Sequence, residues 1–240
     1  MSLKRNNSTG NTEPFSDPQL YRKIAGSLQC LSITRPDIAF TTNYICQHMH
    51  EPSVNDFQTL KRLLRYVQGT TELGIPIDPG DLQLRAFADA DWAADSSDRR
   101  SVTGFCTFLG NTIISWSAKK QITVAKSSTE AEYRSISSAT SEVIWLRRLL
   151  AELCITQIGP TPLYCDNTSA IALANNTVFH ARTKHVEIDY HFISNHIKAG
   201  DLNISHISSD EQTADILTKS LPKERFFYLR NKLNIRSQDA

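Results

Sequence analysis

Two aspartates of this 240-residue chain lie at the ends of short apolar segments. Asp89 ends the run at residues 84–88, and Asp166 follows the run at 162–165. Short apolar runs of this kind are typical of buried β-strands. A carboxylate at the end of such a strand lies at the rim of the sheet, where a ligand can reach it. If the two strands are neighbours, we expect the two carboxylates to converge.

A third carboxylate lies on the longest predicted helix. The apolar stripe of that helix consists of Ile136, Ala139, Val143, Leu146 and Leu150. Glu132 precedes Ile136 by about one turn and so points inward with the stripe, where an unpaired charge is costly. It therefore needs a metal ion or a protein cation as its partner, and the pattern leaves both open. Glu130 lies on the polar face, which predicts a surface or N-terminal residue that favours the helix dipole.

A fourth carboxylate, Asp215, lies near the start of a helix predicted to follow a strand. Taken alone, such a residue is typical of a solvated helix N-terminus. Three or four carboxylates brought together cannot all stay ionised without compensation. Magnesium supplies that compensation because it prefers hard oxygen ligands. Two such ions about 3.5–4 Å apart activate a water and stabilise a leaving oxygen, which predicts metal-assisted phosphodiester hydrolysis.

The elements that would position these residues follow from hydrophobic periodicity. Strands are predicted at 82–88, 102–109, 112–116, 163–165 and 203–207, and helices at 128–154, 168–174, 184–199 and from about 210. Gly110-Asn111 is a plausible hairpin turn between the second and third strands. Three strands come first, and strands and helices alternate afterwards. This order predicts the α/β class, with a mixed sheet whose first strands are antiparallel.

The chain before residue 82 has a different character. The polar residues 1–16 predict a disordered lead, whereas 17–78 show helical periodicity. Glycines and prolines between 69 and 81 indicate a domain boundary.

Composition excludes several classes of protein. The chain is 40% hydrophobic and 21% charged, which excludes disordered and collagen-like classes. No apolar run reaches the ~18 residues of a membrane helix, and the first 14 residues lack the apolar core of a secretory signal. The five widely spaced cysteines argue against a disulfide framework and predict an intracellular location, in the cytoplasm or the nucleus. A net charge of +1 means that any nucleic-acid binding uses local patches or metal ions.

Several short blocks resemble one known family. Residues 87–93, 115–121, 127–133, 164–167, 180–185 and 212–219 follow one another as in the RNase H domain of copia-type LTR retrotransposon Pol polyproteins. Residues 21–28, 34–38 and 64–70 resemble the helical segment that joins the polymerase palm to that domain. The resemblance assigns 17–78 to the reverse transcriptase thumb or connection and 82–221 to RNase H. It leaves 222–240 as a C-terminal helix and tail.

The resemblance implies the RNase H fold, a five-stranded mixed sheet with helices on both faces. It also implies that Asp89, Glu132, Asp166 and Asp215 are the catalytic, metal-binding residues, with Mg²⁺ as cofactor and Mn²⁺ able to substitute. The implied substrate is the RNA strand of an RNA–DNA hybrid, recognised through its 2′-hydroxyls during reverse transcription. The rest of the reverse transcriptase is a possible partner, and the oligomeric state is open. The alternative is a non-catalytic nucleic-acid-binding or assembly remnant of a truncated element.

Motifs of the other Pol activities are missing. The chain contains no Asp-Asp dipeptide, no Asp-Ser/Thr-Gly and no His/Cys zinc pattern, so we expect no polymerase, protease or integrase activity.

Secondary candidates for substrate binding are Lys184, His185 and His206. Lys184 and His185 begin a predicted helix whose basic face could contact phosphates, although a solvated face is the simpler interpretation. His206 precedes Asp215 on the strand that leads to its helix, and a partly buried strand histidine is the alternative. Trp92 and Trp116 could stack on a substrate, but we expect them to fill the core.

Overall fold

A computed structural model describes residues 13–176 and 186–237. The chain divides into two compact units, one formed by Met1–Pro76 with Lys219–Ala240 and the other by Ile77–Thr218. The C-terminal residues thus group with the helical part of the chain. The boundaries predicted for the domains stay a prediction.

The helical unit contains four helices and a short two-stranded ribbon among the described residues. Its elements are α1 (Pro18–Leu31), a 3₁₀ turn (Pro36–Ile38), α2 (Ala39–Gln47), α3 (Val54–Gln68), β1 (Leu73–Gly74), α8 (Lys223–Lys232) and β7 (Arg236–Ser237). β1 and β7 pair in antiparallel fashion. Asp17 caps α1, and Ser53 forms a capping box with Asp56 at the start of α3. These caps satisfy backbone donors that the helices leave unpaired.

A buried polar network lies within the helical unit. The guanidinium of Arg35 donates two hydrogen bonds to the carboxylate of Asp37, at 2.9 and 2.7 Å. The hydroxyl of Tyr66 donates a third hydrogen bond to Asp37, at 2.6 Å. Because a buried carboxylate is costly without partners, this bidentate pair compensates the charge of Asp37.

The second unit contains a five-stranded mixed sheet. Its elements are β2 (Leu84–Asp91), β3 (Val102–Leu109), β4 (Thr112–Lys120), α4 (Ser128–Glu152), β5 (Thr161–Cys165), α5 (Thr168–Asn175), α6 (Glu187–Lys198), β6 (Leu202–His206) and α7 (Asp215–Thr218). The strand order is β4-β3-β2-β5-β6. β2, β3 and β4 are antiparallel, whereas β5 pairs parallel to β2 and β6 parallel to β5. The predicted hairpin is confirmed, and Gly110 adopts a positive φ of 58° in its turn.

Helices cover both faces of this sheet. On one face, Ala86 and Ala88 of β2 belong to the same buried cluster as Tyr133 and Ile136 of α4. On the other face, a Cβ added to Gly104 would lie 2.9 Å from Leu217 Cβ, so α7 packs directly against β3. The RNase H-like fold class expected from the sequence is therefore confirmed.

Several elements differ from the sequence-based expectation, among them β4, which continues to Lys120 rather than ending at residue 116. β2 continues to Asp91 rather than ending at residue 88, because it pairs with β3 as far as Asp91 opposite Val102. The helix expected from about residue 210 is only the short α7, which begins at Asp215. The side chain of Gln212, which precedes it, bonds to β2 instead of lying on a helix surface. Among the described residues, no helix combines the length and apolar composition needed to cross a membrane.

Candidate metal centre

Asp89 and Asp166 lie on neighbouring parallel strands. The register pairs Ala86 with Leu163 and Phe87 with Tyr164. Continuing this register by two residues aligns Asp89, which is fully buried, with Asp166, the first residue after β5. Since neighbouring strands run about 4.8 Å apart, the two residues lie side by side at one rim of the sheet. The sequence left open whether the two strands are neighbours, and the structure shows that β2 and β5 are.

Glu132 reaches the same rim from α4. The hydroxyl of Ser135, about one turn further along the helix, donates to the backbone oxygens of Asp89 at 2.8 Å and Gly104 at 3.2 Å. These contacts hold the start of α4 against β2 and β3. Potential ligand atoms of Glu132, Cys165 and Asp166 all lie within 4.8 Å of one another. Glu132 is buried, as its alignment with the apolar stripe predicts.

The environment of Glu130 differs from the expectation. It lies in the first turn of α4, as expected, but it is buried rather than on the surface. Its carboxylate pairs with Arg134 at 2.6 Å and accepts a hydrogen bond from the backbone nitrogen of Lys126 at 2.9 Å. The surface interpretation was wrong because the loop before α4 folds back over the first turn of the helix.

Asp215 is buried as well, so the interpretation as a solvated helix N-terminus was wrong. It is the first residue of α7, which packs against β2 and β3. The hydroxyl of Thr218 donates to the Asp89 carboxylate and lies 3.4 Å from the Asp215 backbone oxygen. Thr218 therefore connects the segment containing Asp215 to Asp89.

Four polar residues that support the site were not singled out from the sequence: Ser135, Ser209, Gln212 and Thr218. Gln212 is fully buried and donates from Nε2 to the Ala88 oxygen at 3.0 Å, next to Asp89. Ser209 donates to Asp166 Oδ2 at 2.8 Å. Gln212 and Thr218 belong to the same family-like block as Asp215, residues 212–219, and this shared position could have indicated their role. Ser135 and Ser209 give no signal of their own, because their partners are distant in sequence.

The donor set of the cluster favours a hard cation. Burial, together with the nearby carboxylates of Glu132 and Asp166, raises the pKa of the Cys165 thiol well above its ordinary value. Because its thiolate form is disfavoured in this way, the sulfur is a poor ligand for a hard cation. The remaining donors are carboxylate oxygens, which suit Mg²⁺ or Mn²⁺ better than zinc. The residues at this rim therefore fit the cofactor that the resemblance implies.

The secondary candidates have different outcomes. His206 is the last residue of β6 and is exposed, paired in register with Cys165, so it lies at the same rim rather than partly buried within the strand. Lys184 and His185 lie outside the described residues. Trp92 is 48% exposed, so the core interpretation was wrong for this residue, and Trp116 is half-buried.

Comparison with known proteins supports the resemblance. No family model matches the chain. The chain is 48% identical over 222 residues to the retrovirus-related Pol polyprotein from transposon RE1 of Arabidopsis thaliana, covering 92% of this chain and 15% of that protein. It is 38% identical over 207 residues to the corresponding polyprotein from transposon TNT 1-94 of Nicotiana tabacum, covering 86% of this chain and 16% of that protein.

Among solved structures, LC11-RNase H1 isolated from compost has a TM-score of 0.44 and 15% identity, covering 57% of this chain and 93% of that one. The chain spans only about 15% of the length of the curated relatives described above. The two polyproteins nevertheless align with almost all of this chain, across both the helical unit and the sheet. Over most of its length the chain is therefore similar to retrovirus-related Pol polyproteins of copia-type LTR retrotransposons.

Proposed function

We propose that this protein is a metal-dependent endoribonuclease that cleaves the RNA strand of RNA–DNA hybrids during retrotransposon reverse transcription. One observation supports this most directly: side-chain atoms of Glu132 and Asp166 approach within 4.8 Å, and the strand register aligns Asp89 beside Asp166. Similarity to Pol polyproteins over most of the chain supports the same class of reaction.

Each carboxylate has a proposed role. Asp89, Glu132, Asp166 and Asp215 would hold Mg²⁺, and Mn²⁺ could substitute. When bound, divalent ions supply an activated water and stabilise the departing 3′-oxygen of the phosphodiester. Within the chain, the Thr218 hydroxyl orients the Asp89 carboxylate, and the Ser209 hydroxyl orients that of Asp166. Held in this way, the carboxylates need little rearrangement when substrate binds.

The substrate proposal rests on the chemistry of RNA. A 2′-hydroxyl is present only on the RNA strand, so contacts to it would direct cleavage to RNA in a hybrid. His206 is exposed at the end of β6, in register with Cys165, and would contact the substrate near Asp166. The rest of the reverse transcriptase would deliver the hybrid, and an intracellular location follows from the same proposal.

The test uses an RNA–DNA hybrid labelled on the RNA strand. With Mg²⁺, the wild-type protein should cleave the RNA, and EDTA should abolish cleavage. Asp89→Asn and Glu132→Gln should each lower the rate at least about 100-fold, because a lost ligand costs more than a lost supporting contact. Glu152→Gln is the matched control: the same isosteric change, at the exposed far end of the same helix.

The alternative is a non-catalytic nucleic-acid-binding or assembly remnant. Tight binding of the hybrid by wild-type protein without cleavage in Mg²⁺ or Mn²⁺ would favour it. Equal cleavage of double-stranded DNA would contradict the proposed selectivity for RNA.

A further inference from the structure

Trp92 lies in an unusual position for an indole. It follows Asp91, the last residue of β2, and is three residues from Asp89. Its ring is 48% exposed, while its Nε1 donates to the backbone oxygen of Ala125 at 3.0 Å. Ala125 belongs to the loop that leads into α4, two residues before the N-cap, Ser127. The indole is therefore fixed between two segments that also position predicted metal ligands.

The loop under the indole is itself held rigidly. Ala125 is buried in a cluster with Ala90 of β2 and Ala131 of α4. Gln121, at the start of the loop, is also buried and donates to Thr103 Oγ1 at 2.9 Å and to the Ala131 oxygen at 3.1 Å. A half-exposed aromatic ring on a rigid support loses little conformational entropy when it binds a partner.

Two lysines lie on segments near Trp92: Lys126 directly follows Ala125, whose oxygen the indole contacts, and Lys119 lies near the end of β4. Lys119 and Lys126 are exposed, and in the described ranges neither forms an ion pair with a carboxylate. Lys120, between them in sequence, differs because Asp95 and Asp98 neutralise it at 2.6 and 2.8 Å. β4 ends at the same rim as β2, because Lys120 and Asp91 both align with Val102 of β3. Two lysines thus remain available for an anionic partner.

We propose that Trp92, Lys119 and Lys126, together called the indole surface, bind the duplex beside the bond that is cleaved. The indole ring packs on ribose and base edges in the shallow minor groove of the hybrid, and the two ammonium groups contact phosphates. An aromatic ring with lysines on nearby segments fits a nucleic acid better than an apolar protein partner. This inference rests on the proposed function, since it assigns a second contact to the same substrate.

The test compares two exposed tryptophans. Trp145 is 56% exposed on α4, 13 residues beyond Glu132, and serves as the control. Trp92→Ala should raise KM for the hybrid about tenfold, with kcat within about twofold, whereas Trp92→Phe keeps a ring and should stay near wild type. Trp145→Ala should change neither constant. In a fluorescence titration, hybrid should quench emission of the Trp145→Phe variant but hardly that of Trp92→Phe.

A second measurement holds even if Trp92→Ala folds poorly. Replacing Lys119 and Lys126 together by Gln should lower the slope of log KM against log salt concentration by about 1.4–1.8, since each phosphate contact contributes about 0.7–0.9.

A wild-type KM for Trp92→Ala, or an unchanged salt slope for the lysine variant, would overturn the proposal that the indole surface binds the hybrid. Cleavage by the wild-type protein would still support the nuclease proposal. A loss in kcat at constant KM would also overturn the proposal for the indole surface, because Trp92 would then support the metal ligands rather than the substrate. If wild-type protein neither binds nor cleaves hybrid, both proposals fail.

Discussion

The sulfur of Cys165 lies 3.7 Å from Oε2 of Glu132. Cys165 ends strand β5, which lies between β2 and β6, whereas Glu132 lies in the second turn of α4, and both residues are buried. Their contact shows that the helix delivers its carboxylate directly over the end of the parallel strand pair. The Cys165 thiol therefore lies where neighbouring carboxylates would repel a thiolate anion. Burial, together with these carboxylates, raises the pKa of the thiol.

Cys165 should therefore resist alkylation. At pH 8 with iodoacetamide, the exposed Cys30 and Cys154 should react within minutes, whereas Cys165 should react only after denaturant is added. The reagent cannot reach the buried sulfur of Cys165, and little of that sulfur is in the reactive thiolate form. Mass spectrometry of peptides measures each site separately. Cys106, which is buried within β3 and does not belong to the cluster of Glu132, Cys165 and Asp166, serves as a second buried thiol for comparison. Labelling of Cys165 as fast as Cys154 would show that the rim is open to solvent.

Magnesium should stabilise the fold. An ion that binds only the folded state adds about 2.7 kcal/mol when its concentration is 100 times Kd. Mg²⁺ should therefore raise Tm of the wild type by several degrees, and Glu132→Gln should lose most of that increase. Differential scanning calorimetry at matched ionic strength measures the effect, with Glu152→Gln as the control that keeps it. Equal shifts in both variants would argue against Glu132 as a ligand.

Gln212 should be needed for both stability and activity. Gln212→Ala removes the donor to the Ala88 oxygen, and an unsatisfied buried carbonyl costs about 1–3 kcal/mol in the free energy of unfolding. Because the same contact holds the segment that leads to Asp215, kcat should fall as well. Urea denaturation and hybrid cleavage measure the two effects.

Gln157 offers a matched control at the other end of the sheet. It accepts a hydrogen bond from the Leu84 nitrogen at 2.7 Å and donates to the Leu82 oxygen at 2.8 Å. Gln157→Ala should cost comparable stability and leave kcat unchanged. Parallel losses of activity in both variants would show that Gln212 acts through stability alone.

The helical unit should lose stability in alkali. Burial, followed by the charge of Asp37 and its hydrogen bond, raises the pKa of Tyr66 to about 12. Since the unfolded value is about 10, the contribution is complete below pH 10 and is lost as the pH rises from about 10 to about 12. It amounts to roughly 2 kcal/mol at most, because the ring is partly exposed.

Tyr66→Phe isolates this contribution. The variant should be less stable than wild type at pH 7, because it loses the hydrogen bond to Asp37, but the difference should shrink between pH 10 and 11.5. Tyr228→Phe, a change at an exposed ring, should follow the wild-type curve. Urea denaturation at several pH values gives the comparison, and a constant difference across this range would contradict the assignment.

Local patterns in the chain were enough to indicate most of the sheet and the positions of the acidic residues. The hairpin at Gly110, the long helix and the inward direction of Glu132 follow from turn chemistry and from the spacing of apolar residues. The environment of Glu130 could be predicted only in part. Its position in the first turn of the helix was predicted correctly. Its burial depends on contacts with the preceding loop and with Arg134, and the spacing of apolar residues gives no information about these contacts.

The sequence by itself determined which carboxylates follow strands, which one points inward from a helix, and which family the motifs resemble. Only the tertiary structure decided that β2 and β5 are neighbours, which aligns Asp89 with Asp166, and that Thr218 reaches back to Asp89. The physical reason is that strand order and contacts between residues more than 100 positions apart depend on packing of the whole sheet, whereas periodicity reports only the direction of each side chain from its own element.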